Sequence, residues 1–252
     1  MIELGDRIML FNDSEKYLVV ADGEVKKIPG LGVVDTDKLM GRPWGVEVAF
    51  GSRIFLLLQP DLDNTPDIIK RGPQIIRPYM GALIVHRCDI SCGDVVVEGG
   101  AGSGMMSAVL CRAVGPEGRV HTYELRDDHL RLARSNIELL GFHENWNPVL
   151  GDVCKDVEER DADAFVVDIP EPWLALDMVL ATLKNGGHFA AYIPSMNQME
   201  RVHVEMQKAG FADVRAFENI QREMVVSEGT TRPSFEMLGH AGYVVVGRKI
   251  SR

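Results

Sequence analysis

The chain has 252 residues, with 27 basic side chains against 37 acidic ones and a formal net charge of -10. This length exceeds one typical domain of roughly 100 to 200 residues, and a composition 46% hydrophobic and 25% charged excludes a disordered or fibrous chain. The negative balance excludes a general nucleic-acid coat, which needs clustered Lys and Arg, but not a local basic patch.

Residues 1–64 read as short alternating segments, RIMLF, KYLVVAD, GVVDTD and RIFLLLQP, punctuated by Gly, Asn-Asp, Asp-Gly and Pro. Such texture predicts a small β-rich N-terminal domain. Its opening stretch MIELGDRIML carries acids early and lacks a signal-peptide pattern, and no apolar run approaches the roughly 20 residues of a membrane span. The expectation is a cytoplasmic protein without a membrane partner.

From Thr65 to the end, residues 65–252, the texture predicts a second domain. A helix-like segment leads into Gln74 and another runs through Met80 to Arg87. Strands are then predicted at Asp94–Glu98, Arg119–Glu124, Asn147–Val149, Ala164–Ile169, Gly187–Tyr192, Val214–Asn219 and Tyr243–Arg248. Helices are predicted at Ser103–Val114, Asp127–Leu140, Trp173–Leu183 and Met196–Ala209. Alternation of this kind implies a mostly parallel sheet covered by helices.

Charge is uneven along this domain. Residues 151–180 hold two basic against nine acidic side chains, a balance of -7, whereas residues 201–252 hold eight against six, or +2. A nucleic-acid face would draw on Lys70, Arg71, Arg77, Arg222, Arg232, Arg248 and Lys249, which read equally well as solvated surface charges. Cys88, Cys92, Cys111 and Cys154 form no CxxC pair and lie near no histidine at zinc-ligand spacing, so they read as free thiols and no metal is expected.

VVVEGGAGSGMM places a buried strand directly before Gly99, Gly100, Gly102 and Gly104 and a helix after them. Glycines serve where the backbone turns sharply and must approach a ligand without a Cβ in the way. A dinucleotide loop would carry GxGxxG, but the position three after Gly102 is Met105. The run from Glu98 to Gly104, with Ser103 inside it, is ExGxGxG and resembles the first motif of class I methyltransferases, which bind S-adenosylmethionine. Glu124 ends the second strand, where a carboxylate accepts hydrogen bonds from ribose hydroxyls. In LGDV, Asp152 is placed for the adenine amino group of the cofactor and Val153 for a backbone amide contact, as in similar enzymes. The expected fold is α/β, a Rossmann-like class I methyltransferase with a mostly parallel seven-stranded sheet beside the small N-terminal β domain.

Asp168-Ile169-Pro170-Glu171-Pro172-Trp173 follows the fourth strand, at the carboxyl edge where open α/β folds place their chemistry. Asp168 reads either as a carboxylate aimed at a substrate nitrogen or as a cap for the helix after it. Together with RGPQIIRP, GPEGRVHTYELR, YIPSMNQMERV and TTRPSFEMLGHAGYVVVGRK, this segment resembles the tRNA (adenine-N1)-methyltransferases of archaeal and bacterial type, along nearly the whole chain. Those enzymes modify adenine 58 of the T-loop, and in some archaea also adenine 57.

The resemblance implies Asp168 as the catalytic carboxylate at the adenine amino group, and Gln74 as a cofactor contact beside Glu98, Gly100, Gly102, Ser103, Gly104, Glu124, Asp152 and Val153. It implies Tyr192, Pro194, Gln198, Arg232, Pro233, His240 and Tyr243 on the substrate side, tRNA as partner and a homotetramer as assembly. Because N1 lies on the Watson–Crick edge, the base must be extruded, and Tyr79 or Tyr192 is placed to stack on it. Tyr192 reads equally as a core aromatic, and His240 as a structural histidine. Arg77 stands where the family usually has Tyr or His, so an aromatic role there does not carry over, although an arginine stacks on a base or pairs with phosphate. Two other readings stay open: a class I methyltransferase for isoaspartyl protein or a corrinoid precursor, and a non-catalytic subunit retaining the fold.

Overall fold

In the computed structural model, which describes every residue but Arg71, Pro73, Gln74 and Arg252, the chain divides after Lys70 into a unit Met1–Lys70 and a unit Arg71–Arg252. The first contains β1 (Arg7–Phe11), β2 (Lys16–Val20), β3 (Val25–Ile28), β4 (Gly32–Asp35), β5 (Glu47–Phe50), β6 (Arg53–Leu58) and a short helix α1 (Thr65–Ile68). β2, β1, β6 and β5 form an antiparallel sheet in that order, and β3 and β4 pair as a hairpin. Alternation in RIFLLL turns Phe55 and Leu57 inward, onto a core shared with Ile8, Leu10 and Val19. β3 and β5 escape the sequence because VKKI and EVAF bury almost nothing. The change of texture at Thr65 marks α1, which packs against β2 within the first unit, so the division lies beyond it.

The second unit begins with α2 (Pro78–Arg87) and continues β7 (Val95–Gly99), α3 (Met105–Val114), β8 (Arg119–Glu124), α4 (Asp127–Leu140), β9 (Trp146–Leu150), β10 (Ala162–Val167), α5 (Leu176–Thr182), β11 (Leu183–Ile193), α6 (Met196–Ala209), β12 (Ala212–Glu218), β13 (Met224–Val225), β14 (Arg232–Pro233) and β15 (Tyr243–Arg248). Its sheet has seven strands in the order β12-β15-β11-β10-β7-β8-β9. The pairs from β11 through β9 are parallel, and β15 lies antiparallel between β11 and β12. Continuous apolar runs such as VVV in β7 and AFVV in β10 suit strands covered on both faces. α5 and α6 pack over Val97, Phe165, Phe189 and Val245 through Val179, Val202 and Met206, while α2, α3 and α4 pack in succession against one another and against β7, β8 and β9. The chain order reverses between β7 and β10, the switch point at whose carboxyl ends open α/β sheets place their ligands.

Two elements differ from the sequence reading for visible reasons. Where one helix is expected over Trp173–Leu183, a 3-10 turn Pro172–Ala175 precedes α5, a tightening frequent at helix N-termini. β11 begins early, at Leu183, since that residue already pairs with Ala162 before the register shifts. Beyond β12 the chain makes an exposed arm, the two-residue strands β13 and β14, too short to leave an alternation pattern.

Phe189 is fully buried, edge-on to Phe165 at 6.2 Å and tilted against Phe211 at 5.8 Å. Phe189→Ala is expected to cost this unit about 3–5 kcal/mol, read as a lowered urea midpoint at unchanged slope. A loss below about 1 kcal/mol would place the core elsewhere.

Candidate active site

The glycine loop is fastened to both neighbouring strands. Gly100 N donates to the Tyr123 carbonyl at 2.9 Å, on β8, and Asp168 N donates to the Gly99 carbonyl at 2.8 Å, just past β10. Gly100 has a φ of +90°, and a Cβ there would lie 2.3 Å from the Asp168 carbonyl oxygen, so only glycine fits. Ser103 is buried, and its carbonyl accepts from Asn136 Nδ2 on α4 at 2.8 Å, which fixes the entry to α3.

Glu124, 7% exposed at the end of β8, accepts from Gly102 N at 3.3 Å and Arg126 N at 3.0 Å, with His129 Nδ1 at 3.9 Å. Its carboxylate therefore faces the loop from one strand over. Glu98, 1% exposed, lies beneath the loop, where Oε2 accepts from Ser107 Oγ at 2.5 Å and Thr122 Oγ1 at 2.6 Å. Thr122 Oγ1 in turn accepts from Trp146 Nε1 at 2.7 Å. Glu98 Oε1 is buried and finds no partner among the described residues. Burial, opposed by those two hydroxyls and reinforced by Asp168 and Glu124, lifts the Glu98 pKa to about 7. Asp168 is open to solvent, but protein atoms crowd its carboxyl group. Lost hydration there, with the Glu124 charge beside it, raises its pKa to about 6.

Three carboxyl groups thus converge on one glycine loop. An anionic ligand such as a pyrophosphate would be repelled, and a ligand carrying positive charge would relieve their mutual repulsion. The cradle at Gly100, the orphaned Glu98 oxygen and this charge set fit a cationic amino-acid and nucleoside ligand of the S-adenosylmethionine type. Asp152 is already engaged: Lys155 Nζ lies at 2.8 Å and Cys154 N donates to Oδ1 at 2.9 Å, and these hold its pKa below the ordinary range. Val153 is buried against Gly99.

Near the carboxyl end of β11, Tyr192 is 6% exposed and its hydroxyl donates to the Ala241 carbonyl. Burial, then the charges of Asp168 and Tyr79, push its pKa up to about 12. Gly242 lets the ring close over, since a Cβ there would lie 2.4 Å from it. In this arrangement Tyr192 is a wall rather than a free stacking surface. Tyr79 is half-buried in the first turn of α2 and Arg77 is exposed just before it. Gln74 lies outside the described residues. His240 Nε2 lies 2.9 Å from the Pro194 carbonyl and Nδ1 2.9 Å from Glu218 Oε1, and its ring is 4.6 Å from that of Tyr243. Glu218 first, then Pro194, hold its pKa above the ordinary value. Arg232 sits apart on β14, stacked over Phe235 at 4.2 Å. The amide of Gln198 is taken by Pro170 and Ser195. Ser107 and Thr122, which hold Glu98, carry no motif signal, whereas Ser195 to Gln198 has the spacing of a capping box. Among the described residues no three His, Cys, Asp or Glu are grouped to hold a metal ion, and no helix is long and apolar enough to cross a membrane.

Comparison with known proteins places this geometry. Residues 60–238 match the family model of the tRNA methyltransferase complex GCD14 subunit. The chain is 29% identical, over 98% of its length and 92% of the relative's, to a Methanocaldococcus jannaschii protein named tRNA (adenine(57)-N(1)/adenine(58)-N(1))-methyltransferase TrmI. A solved Thermotoga maritima structure, described as a SAM-dependent O-methyltransferase, superposes with a TM-score of 0.87 at 30% identity over 100% of this chain and 95% of that one. The Aquifex aeolicus tRNA (m1A58) methyltransferase TrmI superposes with a TM-score of 0.81 at 25% identity over 100% and 99%.

The raised Glu98 pKa has a consequence for stability. Because the folded value, about 7, lies above the ordinary 4.5, the contribution of Glu98 is full below about 4.5 and is lost as pH rises through 7. Glu98→Gln abolishes that loss, so its stability relative to the parent should climb between pH 5 and pH 8 by about 3 kcal/mol. Thermal melts across that range test it, and a pH-independent difference would refute it.

Proposed function

The chain belongs to the tRNA methyltransferase complex GCD14 subunit family, and from that premise we propose that it methylates N1 of adenine in the T-loop of tRNA, at position 58 or at both 57 and 58. The observation that carries this reading is Asp168, a solvent-reachable carboxylate at the switch point, fastened through its own backbone to a glycine loop ringed by acids. The named activities of the M. jannaschii and A. aeolicus relatives support the substrate.

S-adenosylmethionine supplies an electrophilic methyl group on a sulfonium centre. Gly100, Gly102, Ser103 and Gly104 would hold its amino-acid end, Glu98 and Glu124 offset its positive charge, and Glu124, Asp152 and Val153 receive its nucleoside, with Gln74 a further cofactor contact on the family resemblance alone. Asp168 accepts a hydrogen bond from the adenine exocyclic amine, orients the ring edge and stabilises the positive charge that N1 acquires. N1 already has a lone pair, so catalysis rests on positioning and electrostatics rather than on making a nucleophile. The extruded base would enter beside Tyr79, Arg77, Tyr192 and Pro194, with His240 and Tyr243 shaping the wall and Arg232 meeting phosphate. The reading includes a cytoplasmic setting and a homotetramer. Self-association is supported by the arm around β13 and β14, which exposes Ile220, Met224, Val226, Leu238 and Phe235, the last at 82%.

Incubation with unmodified tRNA and cofactor, followed by nucleoside mass spectrometry, should yield 1-methyladenosine. A ribose- or other hydroxyl-methylated product, in keeping with the description of the T. maritima protein, would overturn the assignment. Asp168→Ala should lower turnover by about 10²- to 10⁴-fold with cofactor binding retained. Since the carboxylate is the competent form, parental kcat/KM should fall about tenfold per pH unit below about 6, and a flat acid limb would remove Asp168 from the reaction. Met224→Ser with Phe235→Ser should reduce the sedimenting mass, and an unchanged mass would put the assembly surface elsewhere.

A further inference from the structure

The loop that carries Asp168 is gripped by one face of α6. Ser195 is the N-cap of that helix, and its Oγ accepts from Gln198 N at 3.4 Å. In an ordinary capping box the side chain at Gln198 would reach back to the backbone amide of Ser195. Here it turns outward: Ser195 Oγ donates to Gln198 Oε1 at 2.7 Å, and Gln198 Nε2 donates to the Pro170 carbonyl at 3.0 Å. One helical turn on, the Arg201 guanidinium lies 3.9 Å over the Trp173 ring. Pro170 and Trp173 lie two and five residues after Asp168, so both contacts fall on the segment that leaves the carboxylate. At its other end Asp168 is fixed by its own amide on Gly99.

We propose that Gln198 is a positioning residue for Asp168, its amide bridging the cap of α6 to the Pro170 carbonyl so that the carboxylate is held against the reacting edge of the base. A proline carbonyl is a fitting anchor, because Pro170 and Pro172 lack the amides that would otherwise tie this turn to itself. The side chain is thereby occupied within the chain rather than directed at RNA. The inference rests on the reading of Asp168 as the substrate-facing carboxylate.

Gln198→Ala tests it, since alanine is a good helix former and the first turn should stand. The expected result is a 10- to 100-fold fall in kcat on tRNA, with cofactor affinity, tRNA affinity and melting temperature essentially as in the parent. Amide exchange at Ile169, Glu171, Trp173 and Leu174 should quicken. Gln198→Glu keeps the acceptor for Ser195 but sets a carboxylate against the Pro170 carbonyl, and it should lose kcat likewise. Parental kcat in either variant would overturn the proposal, as would weakened tRNA binding at unchanged kcat, which would make Gln198 a substrate contact. Unchanged exchange over the loop would overturn it independently of any activity. Failure of the parent to methylate tRNA would count against the substrate assignment alone, with the exchange measurement still deciding whether Gln198 holds the loop.

Discussion

Two backbones meet at Gly100 and Asp168 with no space for a side chain between them, 2.3 Å from a would-be Cβ to the carbonyl oxygen. That closeness is possible because β7 and β10 are parallel neighbours at the point where the strand order reverses, so both chains leave the sheet side by side. One leaves as a glycine loop and the other as a proline-stiffened turn. The bond from Asp168 N to the Gly99 carbonyl makes the two exits a single object. The place where a ligand is cradled and the place where a carboxylate is presented therefore have a fixed separation, set by the sheet rather than by the loops.

Electrostatics then selects among the ligands such a cradle admits. The Glu124 charge raises the cost of ionising both Glu98 and Asp168, and Asp168 adds to that of Glu98, whereas a group carrying positive charge lowers it. Glu98 bears the largest share because it is sealed beneath the loop with one oxygen unpartnered. The same arrangement that disfavours a dinucleotide favours the charge appearing on a base as it is alkylated at a ring nitrogen.

Much of this was readable from the sequence, and the exceptions have physical causes. β8, α4, α6 and β15 fall where amphipathic periodicity and continuous apolar runs put them, because each buries one stripe or two faces against the sheet. Gly100, Glu124, Asp152 and Asp168 follow the ends of β7, β8, β9 and β10 or close them, and that placement together with the family resemblance, not spacing alone, nominates them. β3, β5 and the β13–β14 arm bury too little to leave a pattern. The support beneath the site was illegible for another reason: Ser107 and Thr122 meet Glu98 only once α3 and β8 pack beside it. Nor could spacing tell that Asp152 is partnered by Lys155, or that the Gln198 amide turns to Pro170.

His240 faces an acceptor from each ring nitrogen, the Pro194 carbonyl on one side and the Glu218 carboxylate on the other. Two acceptors favour a proton on each nitrogen, which holds the pKa of the ring above its ordinary value. The ring ties the end of β11 to the end of β12, at the root of the exposed arm. The arm is thus anchored like a branch whose attachment is rigid and whose tip contributes nothing to the sheet. Residues around Met224 and Phe235, exposed and paired outside the seven-stranded sheet, are consequently free to vary with whatever surface they meet, without disturbing the strands that carry the glycine loop and Asp168.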